Sequence, residues 1–320
     1  MKKRAELDVR SLRIFEAAAS TGTLSLAATQ MGVTQSAVSQ AIAQIEQTLG
    51  TQLLDRSRRP FKLTAAGIAL SRHARQIVDD MDRLISLVRD ADLANRPAIR
   101  VGMIDSFAAT VGPAIVKRIT ENASQLLFWS GLANSHAQAL INRQLDLIIT
   151  SDPQEDMDKL VRRPIFTEPF LIAIPKGREE ELRGADLAQL VQDHPLIRFS
   201  ARSHFGAIVE RHLRRSGHTP HQYLEIDSSD IVMAMVAADL GWAITTPLCL
   251  LQGRAHIANV TVLPLPGPSL SRTIYQLSRE GEHQDMAAHC FQASRSALEN
   301  EVFDELRMLV PWLGNRLALS

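Results

Sequence analysis

Apolar residues recur at helical spacing through the first third of the chain and give way to short strand-like runs beyond it. Leu12, Phe15 and Ala19 predict a first helix, and Leu26, Ala27 and Met31 a second, with Thr23 or Ser25 as its cap. Gly32 interrupts the pattern. A third helix is expected from Thr34, with Val38, Ile42, Ile45 and Leu49 as its apolar stripe and Gly50 where a left-handed C-terminal residue belongs. Two short helices joined by a tight glycine-containing turn form a helix-turn-helix pattern. From Thr64 to Leu93 no proline intervenes. There Leu70, Ala74, Ile77, Met81, Leu84 and Val88 alternate at four and three residues, the spacing of a coiled-coil seam. The dense charge around that stripe favours a dimer seam over packing within the head.

"ANRPAI", Ala94 to Ile99, ends the long helix, and strands then alternate with helices. Strand candidates are Ile99–Ile104, Gln125–Trp129, Leu145–Thr150, Phe170–Ile174, Leu196–Phe199, Tyr223–Ile226, Trp242–Thr246, Val260–Leu265 and Thr273–Leu277. Helices fit at Ala133–Arg143, Phe205–Arg215 and Asp230–Ala238. The pattern is therefore α + α/β, with a head at residues 1–64, a linker helix at 65–95 and an α/β body at 96–320.

Composition adds compartment and polarity. With 45% hydrophobic and 22% charged residues in 320, the chain has the make-up of a soluble protein of two or three domains. No apolar run is long enough for a membrane span or a signal core, so a cytoplasmic location is expected. Cys249 and Cys290 stand far apart, which argues against a disulfide framework or a zinc site, and "HTPH" (His218 to His221) has no third ligand nearby. No metal or cofactor is expected. The net charge of zero hides an asymmetry: residues 1–96 hold 14 basic and 10 acidic side chains, leaving 21 and 25 beyond. A mildly basic head suits a nucleic-acid partner.

The third helix sharpens that expectation. With its apolar stripe buried and Thr34 capping it, Gln35, Ser36, Ser39 and Gln40 lie on the opposite face, and no carboxylate occurs there before Glu46. The N-terminal part of the second helix of a helix-turn-helix meets base edges; Gln offers a donor and an acceptor to adenine, and Ser is versatile. The basic turn that follows, with Arg56, Arg58, Arg59 and Lys62, would form a phosphate-contacting wing. Taken alone, a polar helix face and a basic turn are more often just solvated; their adjacency and the dimer seam favour DNA.

The run "FEAAASTGTLSLAATQMGVTQSAVSQAIAQIEQTLGTQLLDRSRRPFKLTAAG", Phe15 to Gly67, resembles the LysR-type transcriptional regulators, and "LINRQLDLIIT" and "MVAADLGWAITTP" resemble segments of that family more loosely. The resemblance implies a winged helix-turn-helix, with Gln35, Ser36, Ser39 and Gln40 at groove-entering positions and Arg56 and Arg58 in the wing. Two residues depart from the family's habit: Ser36, often proline, and Gln40, often arginine, so the operator preference is expected to differ. It also implies a body of two periplasmic-binding-protein-like subdomains, about 96–167 with 270–320 and 168–269, holding an effector in the cleft. Homodimers or homotetramers, operator DNA and RNA polymerase are the implied partners.

Strand ends give the effector candidates: Ser106 and Phe107, Thr150, Arg202 and Ser203, and Thr246. Helix N-termini there suit an organic acid, and Arg202 can clamp a carboxylate. Against this, Ser and Thr at helix starts are as often plain caps, and Arg202 is as readily a surface ion-pair partner. An enzyme is disfavoured, because the chain has no GxSxG elbow, glycine-rich phosphate loop or Cys/His pair. The tail, Val302 to Ser320, lies past the family pattern, with Phe303, Leu306, Leu309 and Val310 available for packing.

Overall fold

The computed structural model describes residues 7–57, 60–90, 98–121, 123–220 and 224–319, without the side chains of residues 83, 86–90, 315 and 318. Arg58, Arg59, most of "ANRPAI", His221 and Tyr223 lie outside the described residues. The chain divides into two units, Met1–Asn95 and Arg96–Ser320.

The first unit comprises α1 (Val9–Thr21), α2 (Leu24–Met31), α3 (Gln35–Leu49), a hairpin of β1 (Leu54–Asp55) and β2 (Lys62–Leu63), and α4 (Ala65–Asp90). Asp8, Thr23 and Thr34 cap α1, α2 and α3 through their side chains, and Gly22, Gly32 and Gly50 end them in the left-handed region. At Gly32 the backbone φ is 65°, which a side chain would strain, and this tight reversal sets α3 against α2. Phe15, Ala27, Val38, Ile42, Ile45 and Leu53 form the core. Leu26 and Leu49, expected inside, are exposed; Ala27 and Ala28 take the inward positions of α2, and Leu49 is the last residue of α3.

The long helix divides the predicted seam. Ala74 is fully buried and Leu70 joins the head core, where α4 lies along α1. Ser71 donates to Glu16 at 2.8 Å, Arg75 pairs with Glu16 at 3.0 Å, and Arg13 pairs with Asp82. A packing partner inside the head therefore does exist, and Leu70 and Ala74 belong to it. Ile77 and Leu84 remain 48% and 54% exposed, together with Ile85, while Met81 is half-buried. The Val88 side chain lies outside the described residues.

The second unit runs β3 (Ala98–Ile104), α5 (Asp105–Thr110), α6 (Gly112–Thr120), β4 (Gln125–Gly131), α7 (Ala133–Ile141), β5 (Leu147–Thr150), β6 (Leu160–Pro169), β7 (Leu171–Pro175), α8 (Glu179–Leu182), α9 (Leu187–Asp193) and β8 (Ile197–Phe199). It continues through α10 (His204–Arg215), β9 (Leu224–Ile226), α11 (Ser229–Ala237), β10 (Ala243–Thr245), α12 (Pro247–Gln252), β11 (Val260–Pro264), β12 (Ser271–Arg279), α13 (Gln284–Ala297), α14 (Phe303–Leu309) and β13 (Ala318–Leu319). One lobe is built on a six-stranded sheet in the order β13-β6-β12-β5-β3-β4, the other on β10-β7-β11 and the parallel pair β8-β9. The chain crosses between lobes at Phe170 and again ahead of Ser271, and the Phe170 amide donates to the Leu270 carbonyl at 2.8 Å, tying the two crossings together.

β6, ten residues long, is absent from the sequence expectation; it carries Pro164 and the Arg162–Arg163 pair in its interior. Pro164 falls where the register against β12 shifts between Ile274 and Tyr275, an irregularity of the kind at which a strand tolerates proline. Arg162 folds back on the preceding loop, donating to the Pro153 carbonyl at 2.7 Å, and also to the carbonyl of Leu160, at the start of its own strand, at 3.0 Å. Among the described residues no helix is long and apolar enough to cross a membrane, and no cluster of His, Cys, Asp and Glu is arranged to hold a metal.

Candidate DNA-reading face and effector cleft

On α3, Gln35, Ser36 and Gln40 are exposed and Ser39 is half-buried, while Val38, Ile42 and Ile45 are buried on the other side. Thr34 is turned to capping: its hydroxyl accepts from the Ala37 amide at 3.2 Å and lies 2.9 Å from Ser36 Oγ. Gln35 Oε1 accepts from Ser25 Oγ at 3.2 Å, so the first turns of α2 and α3 present one continuous polar edge. Ser25 was foreseen only as a cap. Ala43, Gln44 and Gln47 extend the exposed face. Its one carboxylate, Glu46, is committed elsewhere: Oε1 accepts from the Leu53 and Leu54 amides at 2.8 and 3.3 Å, and Oε2 faces Arg56 at 3.4 Å. The helix thus fixes the root of the β1–β2 wing and orients Arg56, while Lys62 is exposed on the hairpin.

In the body, the ends of β3, β4 and β5 face the second lobe around a cavity of about 50 Å³. Its lining includes Asp105, Ser106, Ser151, Ser203, His204, Phe205, Asp227, Ser229, Cys249 and Arg272. Four helices begin at this lining: α5 at Asp105, α7 at Ala133, α10 at His204 and α11 at Ser229. The start of α7 has no side-chain cap, and Gly131, Leu132 and Ala133 line the cavity. Gly206 allows α10 to start so close to β8, since a Cβ there would lie 2.2 Å from the Ser200 carbonyl oxygen.

Of the predicted effector residues, Ser106 and Ser203 line the cavity and the other four do not. Phe107 points into the core, with its ring centroid 6.5 Å from that of Phe166; the first turn of α5 rotates it away from the cleft. Thr150 is buried, accepting from the Asp152 amide at 3.1 Å. Arg202 is 82% exposed and faces Asp227 at 3.6 Å, the surface ion pair that competed with its effector role. Thr246 is buried behind the lining as a partner of Arg272. Ser203 does double duty, capping α10 through the Gly206 amide at 2.9 Å.

Arg272 was not anticipated. Its Nε donates to Glu168 at 2.7 Å, and its Nη2 reaches Ser106 Oγ at 3.2 Å, Thr246 Oγ1 at 3.0 Å and Cys249 Sγ at 3.6 Å. The guanidinium also lies over the Phe205 ring, 5.0 Å from its centroid. Glu168 Oε2 accepts from the Leu248 amide at 2.9 Å, completing a buried polar cluster that touches both lobes. Two further bonds cross the cleft: Ser151 Oγ with His204 Nδ1 at 3.2 Å, and Asn134 Nδ2 to the Arg202 carbonyl at 2.9 Å.

Burial lowers the pKa of three body histidines below the usual 6.5: His136, where Asp105 opposes the shift; His204, where Asp152 opposes it and Arg211 and Arg272 add to it; and His212, where His218 adds to it. In each case the unfolded chain binds a proton more readily than the folded one. Their contribution to stability is therefore complete above about pH 6.5 and is lost as pH falls through the lowered folded values. Melting of the body is expected at a lower temperature at about pH 5.5 than at about pH 7.5, and His204→Gln should flatten that dependence. An equal pH dependence in the variant would remove His204 from the account.

A family model described as "Bacterial regulatory helix-turn-helix protein, lysR family" matches residues 9–68, and one described as "LysR substrate binding domain" matches residues 94–295. Relatives include a "Probable hydrogen peroxide-inducible genes activator" of Mycobacterium avium, 30% identical over 191 residues, covering 59% of this chain and 61% of that protein. A protein of the same description from Mycobacterium xenopi is 32% identical over 168 residues, 52% of this chain and 88% of its own. The regulator CbbR of Rhodospirillum rubrum is 27% identical over 294 residues, 88% of this chain and 94% of that one. Among solved structures, full-length CbnR complexed with its target DNA aligns at a TM-score of 0.66 and 18% identity, covering 91% of this chain and all of that one. A cysteine mutant of OxyR from Corynebacterium glutamicum aligns at 0.57 and 20% identity, with 97% of each chain covered. At these identities the structures establish the fold alone.

Proposed function

Because the chain belongs to the LysR family of transcriptional regulators, we propose that it reads operator DNA with the first two turns of α3, holds phosphates with the wing, and couples both to a small organic acid in the cleft of the body. Members of this family regulate transcription and are not enzymes. The observation that carries the effector reading is the convergence of the α7, α10 and α11 starts with Ser106, Ser203, Ser229 and Arg272 on one cavity. Amide groups at helix starts and a guanidinium favour a carboxylate in a confined polar site. Asp105 and Asp227 line the same cavity, so an acid that also carries a hydroxyl or amino donor suits it best.

Binding closes or reshapes the cleft, and a change in the equilibrium between arrangements of the body alters the DNA complex only as far as the acid favours one arrangement over another. A thermal-shift screen of small hydroxy and amino acids tests this. A stabilising compound should lose its effect in Ser106→Ala and keep it in Arg202→Ala, since Arg202 is outside the cavity. Retention in the first variant, or loss in the second, would refute this placement of the site.

A second reading is favoured by one thiol. Three relatives carry names referring to hydrogen peroxide, and Cys249 lines the cavity beside Arg272. The Cys249 thiolate would attack one peroxide oxygen, leaving a sulfenic acid and hydroxide that takes up a proton as water. Cys290 does not suit that step, because burial, opposed by Ser294, pushes its pKa up to about 12. Peptide mass spectrometry after peroxide treatment decides: oxygen added at Cys249 with altered DNA binding supports this reading, and an unmodified Cys249 removes it.

A further inference from the structure

The segment after α13 belongs to neither the DNA-reading face nor the cavity, and the family model for the body ends at residue 295. Its path is specific. Leu298, Phe303, Leu306, Val310, Leu313 and Leu317 are all buried in the core shared by the two lobes. The Phe303 ring stands 5.9 Å from Phe166 of β6 in the first lobe. From α14, Glu305 pairs with Arg254 of the second lobe at 2.9 Å. Further on, Trp312 Nε1 donates to the Val262 carbonyl on β11, also in the second lobe, at 3.4 Å. The chain then returns to the first lobe, where β13 pairs antiparallel with β6, Ala318 opposite Thr167 and Leu319 opposite Phe166.

We infer that this tail is a brace across the hinge of the body, a third link in parallel with the two covalent crossings, which holds down rotation of one lobe against the other. The covalent hinge alone is two strands wide, at Phe170 and ahead of Ser271. Two extended crossings joined by one amide–carbonyl bond allow rotation about their common line. A third attachment opposes it, because lobe rotation must then stretch the Glu305 and Trp312 ties or peel β13 from β6. The Ala318–Thr167 pair of β13 stands next to Glu168, the residue that holds Arg272 at the cavity. The brace therefore acts where cleft opening begins and biases the arrangement in which Ser151 meets His204.

The ties are separable from the core. Glu305→Ala with Trp312→Phe removes both polar links to the second lobe and leaves every buried tail residue in place. A chain ending at Leu317 removes only β13. The measurement is the distance distribution by pulsed electron paramagnetic resonance between nitroxides at Gln138→Cys on α7 and Arg214→Cys on α10, in full-length protein with excess unlabelled subunits. Cys249 and Cys290, both buried, stay in place, and a chain without the two introduced cysteines measures any label they take up. The braced chain is expected to give one narrow distribution, and both variants one at least twofold broader or shifted to longer distance. If the tie variant melts within a few degrees of the parent and its distribution is the same as the parent's, the brace is refuted, whatever the truncated chain does.

Discussion

Replacing Glu168 with alanine is expected to destabilise the body by about 3–5 kcal/mol, because it strands a cation inside the protein. Glu168 is wholly buried and Arg272 is 3% exposed. Burial pulls the Arg272 pKa down, and the charge of Glu168, with help from Cys249, more than reverses it, so the guanidinium stays charged in place. Without Glu168 it keeps only neutral oxygens and a thiol, and the Leu248 amide loses its acceptor. Taking out both charges together is far gentler, since a buried pair is poor evidence of net stabilisation. Glu168→Leu with Arg272→Met should therefore recover much of the loss. All three tryptophans, Trp129, Trp242 and Trp312, lie in the body, so denaturation followed by tryptophan fluorescence reports this unit without the head. A loss under about 1 kcal/mol in Glu168→Ala would contradict a buried Arg272 cation held in place by Glu168.

If α4 carries the self-association that its exposed stripe predicts, Ile77→Asp with Leu84→Asp is expected to leave a monomer and to abolish operator binding at concentrations where the parent binds. Both side chains are about half exposed on α4, and Ile85 beside them is exposed as well. An apolar stripe of this spacing, left uncovered by the head, suits burial against a second copy, and two carboxylates facing two more across such a seam would repel. Because Ala74 and Leu70 pack within the head, the same change there would unfold it, so the choice of Ile77 and Leu84 separates association from folding. Light scattering with circular dichroism checks both at once: a monomer with parental helix content is predicted, and an intact oligomer would place the interface elsewhere.

The head was legible in the sequence because its signals are local. Thr34, Gly32 and Gly50 act within a few residues of themselves, and Val38, Ile42 and Ile45 declare the buried side of α3 by spacing alone. The cleft was legible only in part. Ser106 and Ser203 are found by their places at strand end and helix start, but whether a strand-end side chain turns toward cleft or core depends on the helix that follows, as Phe107 shows. Arg272 and Glu168 were out of reach for a definite reason. They are 104 residues apart and stand directly opposite each other in the β6–β12 register, so the pair cannot be seen unless β6 is. That strand carries a proline, Pro164, in its interior, which counts against a strand in sequence. The tail was hidden likewise, since nothing in Leu306 or Trp312 says which lobe each will meet.

In the proposed function α3 discriminates DNA sequence while the wing supplies affinity. Fluorescence anisotropy on a fragment from upstream of the protein's own gene, against a scrambled fragment and over a range of salt, tests it most directly. Gln35→Ala with Gln40→Ala should lose about 1–3 kcal/mol of the preference for the upstream fragment while keeping the salt-dependent binding common to both. Arg56→Ala should weaken both fragments together and make the salt dependence shallower. Full discrimination in the glutamine variant would contradict the assignment of the reading face to α3.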